Sequence, residues 1–531
     1  MNQEEPIDLI QHSNASALLD RAAKDRLLLE NRKRLDQDLL QRRLVFESMP
    51  RVVDLQLSNI CNMSCTMCYD GANPPPKKLD LQVLERFAQE ALPTALSITP
   101  FSGSEPLIVT WELTKKLAER FDLELDIITN VQFLDAKKFA ELEPHVSSLT
   151  FSIDSHMRDI YERIRLRSNP DKVFENLPRA VRLCREHGIE PFANVVLMTE
   201  NAAWIEETVA FLADQGCSTV RLLAFHTPFG SSQDRSYSDA IVHMSPEWVR
   251  WKLEQVWQVA KDKRIQVLFE GLHRQSRDFR EAPERFRPDR RGLHGVGQEL
   301  PFYHPGYCAL SVDRVKVSTD AEVHPCCVAE GEDLKLGDLR EQGFHDIWNG
   351  SNAQDLRRAM LTLDLPELCK HCCHHTANLP SEQRSLPFVD WWHDSHCGGA
   401  VPRFEESQLR LDAILPEHLA RQSDPPTFRW SRTGTKNDVV HFVVAIAGAW
   451  GTANRVFELD GDADHFTMPD ADWRALPPNT GLWWFVAALN RTALGEAERT
   501  ARIRCVVRDE AIPRIQGSTL YARDHLHRKK A

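Results

Sequence analysis

The sequence predicts an α/β protein whose central part is a parallel sheet curled into a partial (β/α) barrel of TIM-like form. Between residues 51 and 271, short apolar runs typical of strands alternate with segments of helical periodicity. Such alternation is typical of strands joined by helices that cover the outside of a sheet. Near residue 402 the pattern changes to short alternating runs between turn residues, which predicts a C-terminal β-sandwich.

The elements of the central part follow one another along the chain. Strands are predicted at 52–58, 95–101, 124–129, 147–153, 191–198, 219–225 and 265–270. Helices are predicted at 80–92, 172–187, 202–215 and 246–262. On sheets of this kind, functional residues gather at the carboxyl ends of the strands.

These patterns divide the chain into four predicted domains. They are an N-terminal helical arm (1–50), a barrel (51–275), a small cysteine-rich extension (276–400) and the sandwich (401–531). The arm is amphipathic from about 10 to 47 and is expected to pack on the outside of the barrel. The sandwich resembles a fibronectin type III or immunoglobulin-like module, a resemblance that implies no chemistry.

Composition and charge argue against several classes of protein. The 531 residues carry a net charge of −12 and no long basic run, which argues against nucleic-acid partners. No apolar run approaches the roughly 18 residues of a membrane span, and the first 30 residues lack a signal-sequence pattern. A cytoplasmic protein without a membrane partner is therefore expected. In that compartment, thirteen cysteines indicate metal sites or reactive thiols before disulfides.

The most specific pattern is a cysteine triplet that follows the first predicted strand. Cys61, Cys65 and Cys68 are spaced so that one short loop can wrap a single metal centre. Soft thiolate ligands suit iron-sulfur clusters or zinc. Clusters more often use four cysteines, so a triplet implies an external ligand on one iron. The alternative is a zinc knuckle completed by a distant residue.

The run from Cys61 to Cys68, Cys-Asn-Met-Ser-Cys-Thr-Met-Cys, resembles the signature of the radical S-adenosylmethionine (SAM) superfamily. The resemblance implies that Cys61, Cys65 and Cys68 hold a 4Fe-4S cluster whose open iron binds SAM. It also implies reductive cleavage of SAM, hydrogen-atom abstraction from a substrate, and a one-electron donor such as flavodoxin or ferredoxin. Met67 stands where the family often has an aromatic residue, and it is also apolar and polarizable.

Other strand ends carry the polar residues that a SAM site would need. The second strand ends in a run, 102–106, that resembles the family's Gly-Gly-Glu-Pro motif, with serine for the second glycine. The resemblance implies SAM-binding roles for the residues Gly103, Glu105, Pro106, Asn130, Ser152 and Arg165. For Ser152 and Arg165, a helix-capping serine and a surface arginine are equally good explanations.

A second group of cysteines occupies the extension. It begins at Cys308 and includes the pairs Cys326/Cys327 and Cys372/Cys373, with Cys369 between them. This pattern resembles the SPASM and twitch extensions of radical SAM enzymes, which implies ligation by Cys308, Cys326, Cys369 and Cys372, with Cys327 and Cys373 as alternatives. Asn378 stands where the two-cluster form has a further cysteine, so one auxiliary 4Fe-4S cluster, the twitch form, is expected. Zinc is the alternative, because histidines adjoin these cysteines.

The sequence thus predicts a radical SAM enzyme that acts on a small molecule or sugar derivative. A peptide- or protein-modifying enzyme is the alternative substrate class, disfavoured here because no leader-binding module is evident near the N-terminus. A second alternative is a catalytically silent binding or scaffold protein, against which the intact triplet argues. The sequence identifies no catalytic side chain beyond the residues that bind the cluster and SAM.

Overall fold

The computed structural model describes most of the chain. These are residues 21–68, 75–100, 104–224, 246–270, 308–327, 329, 334–362, 364–371, 410–417, 420–433, 441–448, 455–475, 481–492, 495–500, 504–508 and 515–520. They belong to two compact units, one formed by 1–296 and 310–353, the other by 297–309 and 354–531. The four-domain division remains a prediction.

The first unit is built on a ten-stranded, mostly parallel sheet with a separate two-stranded ladder. Its strands are β1 (Val52–Leu55), β2 (Ser64–Cys65), β3 (Ser97–Thr99), β4 (Glu124–Thr129), β5 (Val146–Ser152), β6 (Arg165–Leu166), β7 (Glu190–Leu197), β8 (Thr219–Ala224), β9 (Gln266–Glu270), β10 (Arg314–Val317), β11 (Glu322–His324) and β12 (Gly337–Asp338). The spatial order is β12-β11-β10-β1-β3-β4-β5-β7-β8-β9, and β2 pairs with β6. All seven predicted strands are present, with identical bounds at β4 and shorter bounds at β1 and β3.

Helices join these strands in the expected alternation. They are α1 (Arg21–Leu40), α2 (Leu81–Ala91), α3 (Trp111–Phe121), α4 (Ala136–Leu142), α5 (Arg158–Ile164), α6 (Pro170–Glu186), α7 (Thr199–Ala202), α8 (Ile205–Gln215), α9 (Pro246–Lys263), α10 (Ala309–Asp313), α11 (Phe344–Trp348), α12 (Ser351–Thr362) and α13 (Glu367–His371). Asp80 is the N-cap of α2, and its carboxylate accepts hydrogen bonds from the amides of Gln82 and Val83. No described helix is long and apolar enough to cross a membrane.

The N-terminal helix packs against the first unit as the amphipathic pattern predicts. Leu28, Leu35 and Leu39 are buried along one side of α1. Lys24 is also buried, and its ammonium group donates to the carbonyls of Leu92 and Pro93 at 2.9 and 3.1 Å. A buried charge is tolerated when it is hydrogen-bonded in this way. The helix is therefore an integral part of the unit.

The two faces of the parallel sheet differ in polarity. In β4, β7 and β8 one set of alternate residues is buried and mostly apolar, whereas the other set includes the half-buried polar residues Asp126, Asn194 and Arg221. Parallel strands covered on both faces are nearly continuous hydrophobic runs, so one face here is not packed like the other. We call it the site face, defined by residues 126, 128 and 130 of the β4 segment, 192, 194 and 196 of β7, and 221 and 223 of β8.

The sheet also extends beyond β1 through β10, which the sequence did not predict. Arg51, just before β1, forms a buried bidentate ion pair with Asp313, just before β10, with both N–O distances at 2.7 Å. Within the strands, Arg314 contacts the carboxylate of Asp54 at 3.3 Å. Paired, hydrogen-bonded charges of this kind fix the position of β10 beside β1.

The second unit contains a β module of two sheets that share one hydrophobic core. Its elements are β13 (Arg410–Leu415), β14 (Ala420–Gln422), β15 (Thr427–Thr433), β16 (His441–Gly448), β17 (Arg455–Asp460), β18 (His465–Thr467), α14 (Asp470–Ala475), β19 (Gly481–Thr492), β20 (Gly495–Thr500) and β21 (Arg504–Arg508). One sheet has the order β13-β15-β18, and the other has β14-β21-β19-β16-β17 with β20 on β19. Phe428 and Trp430 of the first sheet and Phe442 and Trp484 of the second belong to the same buried cluster.

Candidate functional site

The cysteine triplet lies on a loop that follows the carboxyl end of β1, as predicted. Cys61, Cys65 and Cys68 are only partly exposed. The loop is tied down through β2, in which Cys65 pairs with Arg165 of β6. The amide of Met63 donates to the Cys61 sulfur at 3.4 Å. Backbone pairing and a hydrogen bond to the Cys61 sulfur thus position the loop.

Glu105 is the centre of a buried hydrogen-bond network beside this loop. Its carboxylate accepts from the Thr129 hydroxyl at 2.7 Å and from the Asn130 amide at 2.8 Å. Its own amide donates to the Ile60 carbonyl, which immediately precedes Cys61, at 3.2 Å. Burial raises the pKa of the Glu105 carboxyl to about 7. The side chain is therefore held rigidly and titrates near neutrality.

A second link joins the cysteine loop to the end of β4. The Asn130 side chain donates to the Asn62 carbonyl oxygen at 2.9 Å, while the amide nitrogen of Asn62 is buried without a hydrogen-bond partner among the described residues. A buried donor without a partner is costly, so its presence beside the thiols indicates room for an external acceptor. Asn130, predicted as a SAM contact, therefore lies next to the cysteine loop.

Arg165 is held by a buried ion pair. The alternative explanation, that Arg165 is a surface arginine, is therefore wrong. Its Nε donates to Asp154 at 2.6 Å, and its Nη1 lies 3.8 Å from the Cys65 sulfur. Asp154 is fully buried and also accepts from the amide of Val196 at 2.8 Å. The ion pair through Nε thus fixes the guanidinium, and its Nη1 lies beside a candidate cluster ligand.

Two further predicted residues occupy the same strand ends. Ser152 ends β5, is buried, and accepts at its carbonyl from the Tyr161 hydroxyl at 3.4 Å. Pro106 follows Glu105 and is buried. Gly103 lies outside the described residues. The structure therefore brings Glu105, Asn130 and Arg165 into one hydrogen-bonded region with the triplet, although the individual SAM-binding roles remain predictions.

The donor set of the loop fits an iron-sulfur cluster. Burial raises the pKa of Cys61 to about 11, and burial also raises that of Cys65 although Arg165 acts in the opposite direction. Metal binding displaces these thiol protons, and thiolates are the ligands that such clusters require. In the described part of the chain, no three His, Cys, Asp or Glu side chains are close enough to share one metal ion.

The second cysteine group is described in part. Cys326 and Cys327 follow β11 in the first unit, and burial together with Asp54 raises the pKa of Cys327 to about 12. In the second unit, Cys308 immediately precedes α10 and Cys369 lies in α13, both buried. Cys372 and Cys373 lie outside the described residues. The predicted fourfold ligand set therefore remains a prediction.

Asn62 was missed by sequence reasoning, because nothing in its spacing distinguishes it. Thr129 and Asp154 stand at strand ends that resemble SAM-binding positions of the family, but neither was selected as a site residue. The contacts of these three residues are hydrogen bonds between positions 11 to 68 apart in the chain, which one-dimensional patterns do not reveal.

Comparison with known families decides the class. The profile described as the radical SAM superfamily matches residues 55–212, which contain the triplet, Glu105 and Arg165. The chain contains a radical SAM domain. In this radical SAM protein, residues 308–373 also match SPASM, described as an iron-sulfur cluster-binding domain. The two domains together imply a SAM-binding 4Fe-4S cluster, an auxiliary cluster and SAM as cofactors, as predicted.

Curated relatives match only part of this radical SAM protein. An uncharacterized protein of Archaeoglobus fulgidus is 26% identical over 171 residues, which are 32% of this chain and 41% of the relative. The GTP 3',8-cyclase of Moorella thermoacetica is 28% identical over 154 residues, which are 27% of this chain and 45% of the relative. The chain thus matches less than half the length of either relative.

Solved structures of similar fold include two enzymes with SAM bound. SuiB of Streptococcus suis bound to S-adenosylmethionine has a TM-score of 0.45 and 16% identity, covering 66% of this chain and 76% of SuiB. The enzyme anSMEcpe with bound AdoMet has a TM-score of 0.44 and 16% identity, covering 62% of this chain and 86% of anSMEcpe.

Proposed function

We propose that this protein cleaves SAM reductively and abstracts a hydrogen atom from a substrate. The observation that carries the proposal is the network in which Glu105 is hydrogen-bonded to Thr129 and Asn130 and joined through Ile60 to the cysteine loop. A buried carboxylate beside three thiols offers one partner for an ammonium group and one set of ligands for a cluster.

The roles of the chain's own residues follow from these contacts. We assign Cys61, Cys65 and Cys68 to the cluster, Glu105 to the amino group of SAM, and Arg165 to its carboxylate. Held by these three cysteines, a cluster would supply the electron that breaks a carbon-sulfur bond of SAM. Gly103, Pro106, Asn130 and Ser152 are proposed to line the remainder of the SAM site. A flavodoxin or ferredoxin is the proposed electron donor.

We propose a small molecule or sugar derivative as the substrate, with a peptide as the alternative class. The half-buried polar residues of the site face support the former, because they offer hydrogen-bonding positions inside the sheet unit. We also propose a single auxiliary cluster of the twitch type, with Cys308, Cys326, Cys369 and Cys372 as its ligands. For the C-terminal β module we propose a fibronectin type III or immunoglobulin-like sandwich, which supplies no catalytic group.

The test uses anaerobically reconstituted protein with SAM and a strong one-electron reductant. Wild-type protein should form 5'-deoxyadenosine slowly even without substrate, and a small-molecule fraction of a cell extract should accelerate this more than the macromolecular fraction. The variant with Cys61, Cys65 and Cys68 changed to alanine is the control that should form none. If fully iron-loaded, reduced wild-type protein forms no 5'-deoxyadenosine with either fraction, the enzyme proposal fails and the scaffold alternative gains.

A further inference from the structure

A row of polar side chains crosses the site face beside the SAM-binding strand ends. In the register of the sheet, Ser152 of β5 pairs with Asn194 of β7, and Asn194 pairs with Arg221 of β8. Val196 lies two residues beyond Asn194, about 7 Å along the strand. It packs against the same small hydrophobic cluster as Met67 of the cysteine loop. The row therefore lies on the face of the sheet that the cysteine loop approaches.

Among the described residues, Arg221 has no carboxylate counterion for the positive charge that it carries on this face. Its guanidinium lies 4.3 Å from the centroid of the Phe192 ring, which holds it against the sheet. The side chain is half-buried, and no carboxylate of the described residues lies within 4.0 Å of it. The other partly buried arginines of the sheet, Arg165 and Arg314, each have an aspartate partner. A partly desolvated cation without such a partner favours an anion from outside the chain.

Asn194 provides a second, independent observation. The oxygen of its side-chain amide is buried and has no hydrogen-bond partner among the described residues. Buried polar atoms are nearly always satisfied, so one left open often marks a ligand position. Because Asn194 is the register neighbour of Arg221, the two unsatisfied groups adjoin.

We propose that Arg221 and Asn194 form a substrate-binding subsite, in which Arg221 binds a carboxylate or phosphate and Asn194 binds a neighbouring hydroxyl or amide. The subsite rests on the proposed function, since the row lies beside the residues assigned to SAM. It defines the substrate as an anion with at least one further polar group. It also separates the roles of the two site arginines, with Arg165 directed to SAM and Arg221 to the substrate.

The subsite is tested by calorimetric titration of the reconstituted protein with glycerol 3-phosphate and, separately, with malate. Each probe combines an anionic group with a hydroxyl. We expect wild-type protein to bind at least one of them, and Arg221→Gln to weaken that binding about ten-fold or more, as loss of a charge-assisted hydrogen bond requires. Arg221→Lys, which keeps the charge, should weaken it less. Arg182→Gln, a change at an exposed arginine of α6, is the matched control and should leave it unaltered.

Asn194→Leu tests the same subsite without removing the charge and should weaken the same probe about three-fold or more. Preference for glycerol 3-phosphate would identify a phosphate group, and preference for malate a carboxylate. If neither probe binds wild-type protein, or if Arg221→Gln binds like wild type, the subsite proposal is overturned. Its failure is distinguishable from failure of the proposed function, because binding is measured without SAM cleavage and 5'-deoxyadenosine is measured separately.

Discussion

Glu105 is buried, and burial opposes its proposed role of binding the ammonium group of SAM. Burial favours the neutral acid and raises the pKa to about 7, whereas hydrogen bonds from Asn130 and Thr129 favour the carboxylate. At neutral pH the group is therefore only partly ionised in the absence of SAM. A bound ammonium group would stabilise the ionised form, so SAM binding below pH 7 releases a proton.

This linkage predicts that SAM affinity rises with pH. Between about pH 6 and pH 8 the dissociation constant should fall as the carboxylate forms, because its folded-state pKa lies near 7. The same raised pKa means that the neutral form favours the folded state at low pH, and this contribution is lost as pH rises from the usual 4.5 through 7. Glu105→Gln should weaken SAM binding by about 1.5–3 kcal/mol at pH 8 and remove the pH dependence.

Anaerobic calorimetry at several pH values measures both effects. Glu112→Gln, a change at an exposed glutamate in the first turn of α3, is the matched control and should retain the wild-type profile. An unchanged pH profile in Glu105→Gln would assign the titration to another group and remove Glu105 from the ammonium site.

Arg165 illustrates how a buried charge is made available to a ligand. The carboxylate of Asp154 accepts a hydrogen bond from the Arg165 Nε, and it also accepts one from the Val196 amide. Asp154 is in turn enclosed by Asn201, whose side chain donates to the Asp154 carbonyl at 2.8 Å. The arginine is thereby restricted to one orientation, so less side-chain conformational entropy is lost when a ligand binds.

At the scale of elements, the short β2–β6 ladder makes the triplet a single structural feature. It joins Cys65 to Arg165, 100 positions apart in the chain. The Thr66 amide extends the pairing by donating to the Ile164 carbonyl at 2.9 Å. Because one loop carries all three proposed ligands, removing them should eliminate one cluster without unfolding the sheet.

We therefore predict that reconstituted wild-type protein binds about eight irons, the number expected for two 4Fe-4S clusters. Changing Cys61, Cys65 and Cys68 together to alanine should remove about half of them. Iron analysis with visible absorption provides the measurement. Cys184→Ala is the control, because Cys184 is a fully buried core thiol of α6 and should not change the iron content. Zinc in place of the second four irons would contradict the auxiliary cluster and leave the first intact.

The elements also show what the sequence could predict. Strands β4, β5 and β7 were found within one residue, because long apolar runs bounded by helices define them locally. β10 was missed, since its four residues are half basic and its place depends on the Arg51–Asp313 pair, which joins residues 262 positions apart. In the same way the triplet and Glu105 were predicted from local motifs, whereas Asn194 and Arg221 become neighbours only through sheet register.

At the scale of the molecule, the two compact units contain different sets of the predicted ligands. The first contains the whole cysteine loop, Glu105 and Arg165. The second contains Cys308 and Cys369 together with the β module. In this second unit, Asp355 of α12 accepts from the Ser518 hydroxyl at 2.9 Å, and Thr362 at the end of α12 accepts from Arg421 at 3.2 Å.

These contacts argue that the β module supports the helix that precedes Cys369. A chain truncated after residue 402 loses both of these hydrogen-bond partners of α12. We expect the truncated protein to retain the first cluster, about four irons, and to form 5'-deoxyadenosine, because every residue assigned to SAM lies in the first unit. The auxiliary irons should be lost or reduced. Retention of all eight irons would show that α12 and α13 need no support from the β module, and loss of all iron would show that the first unit does not fold without it.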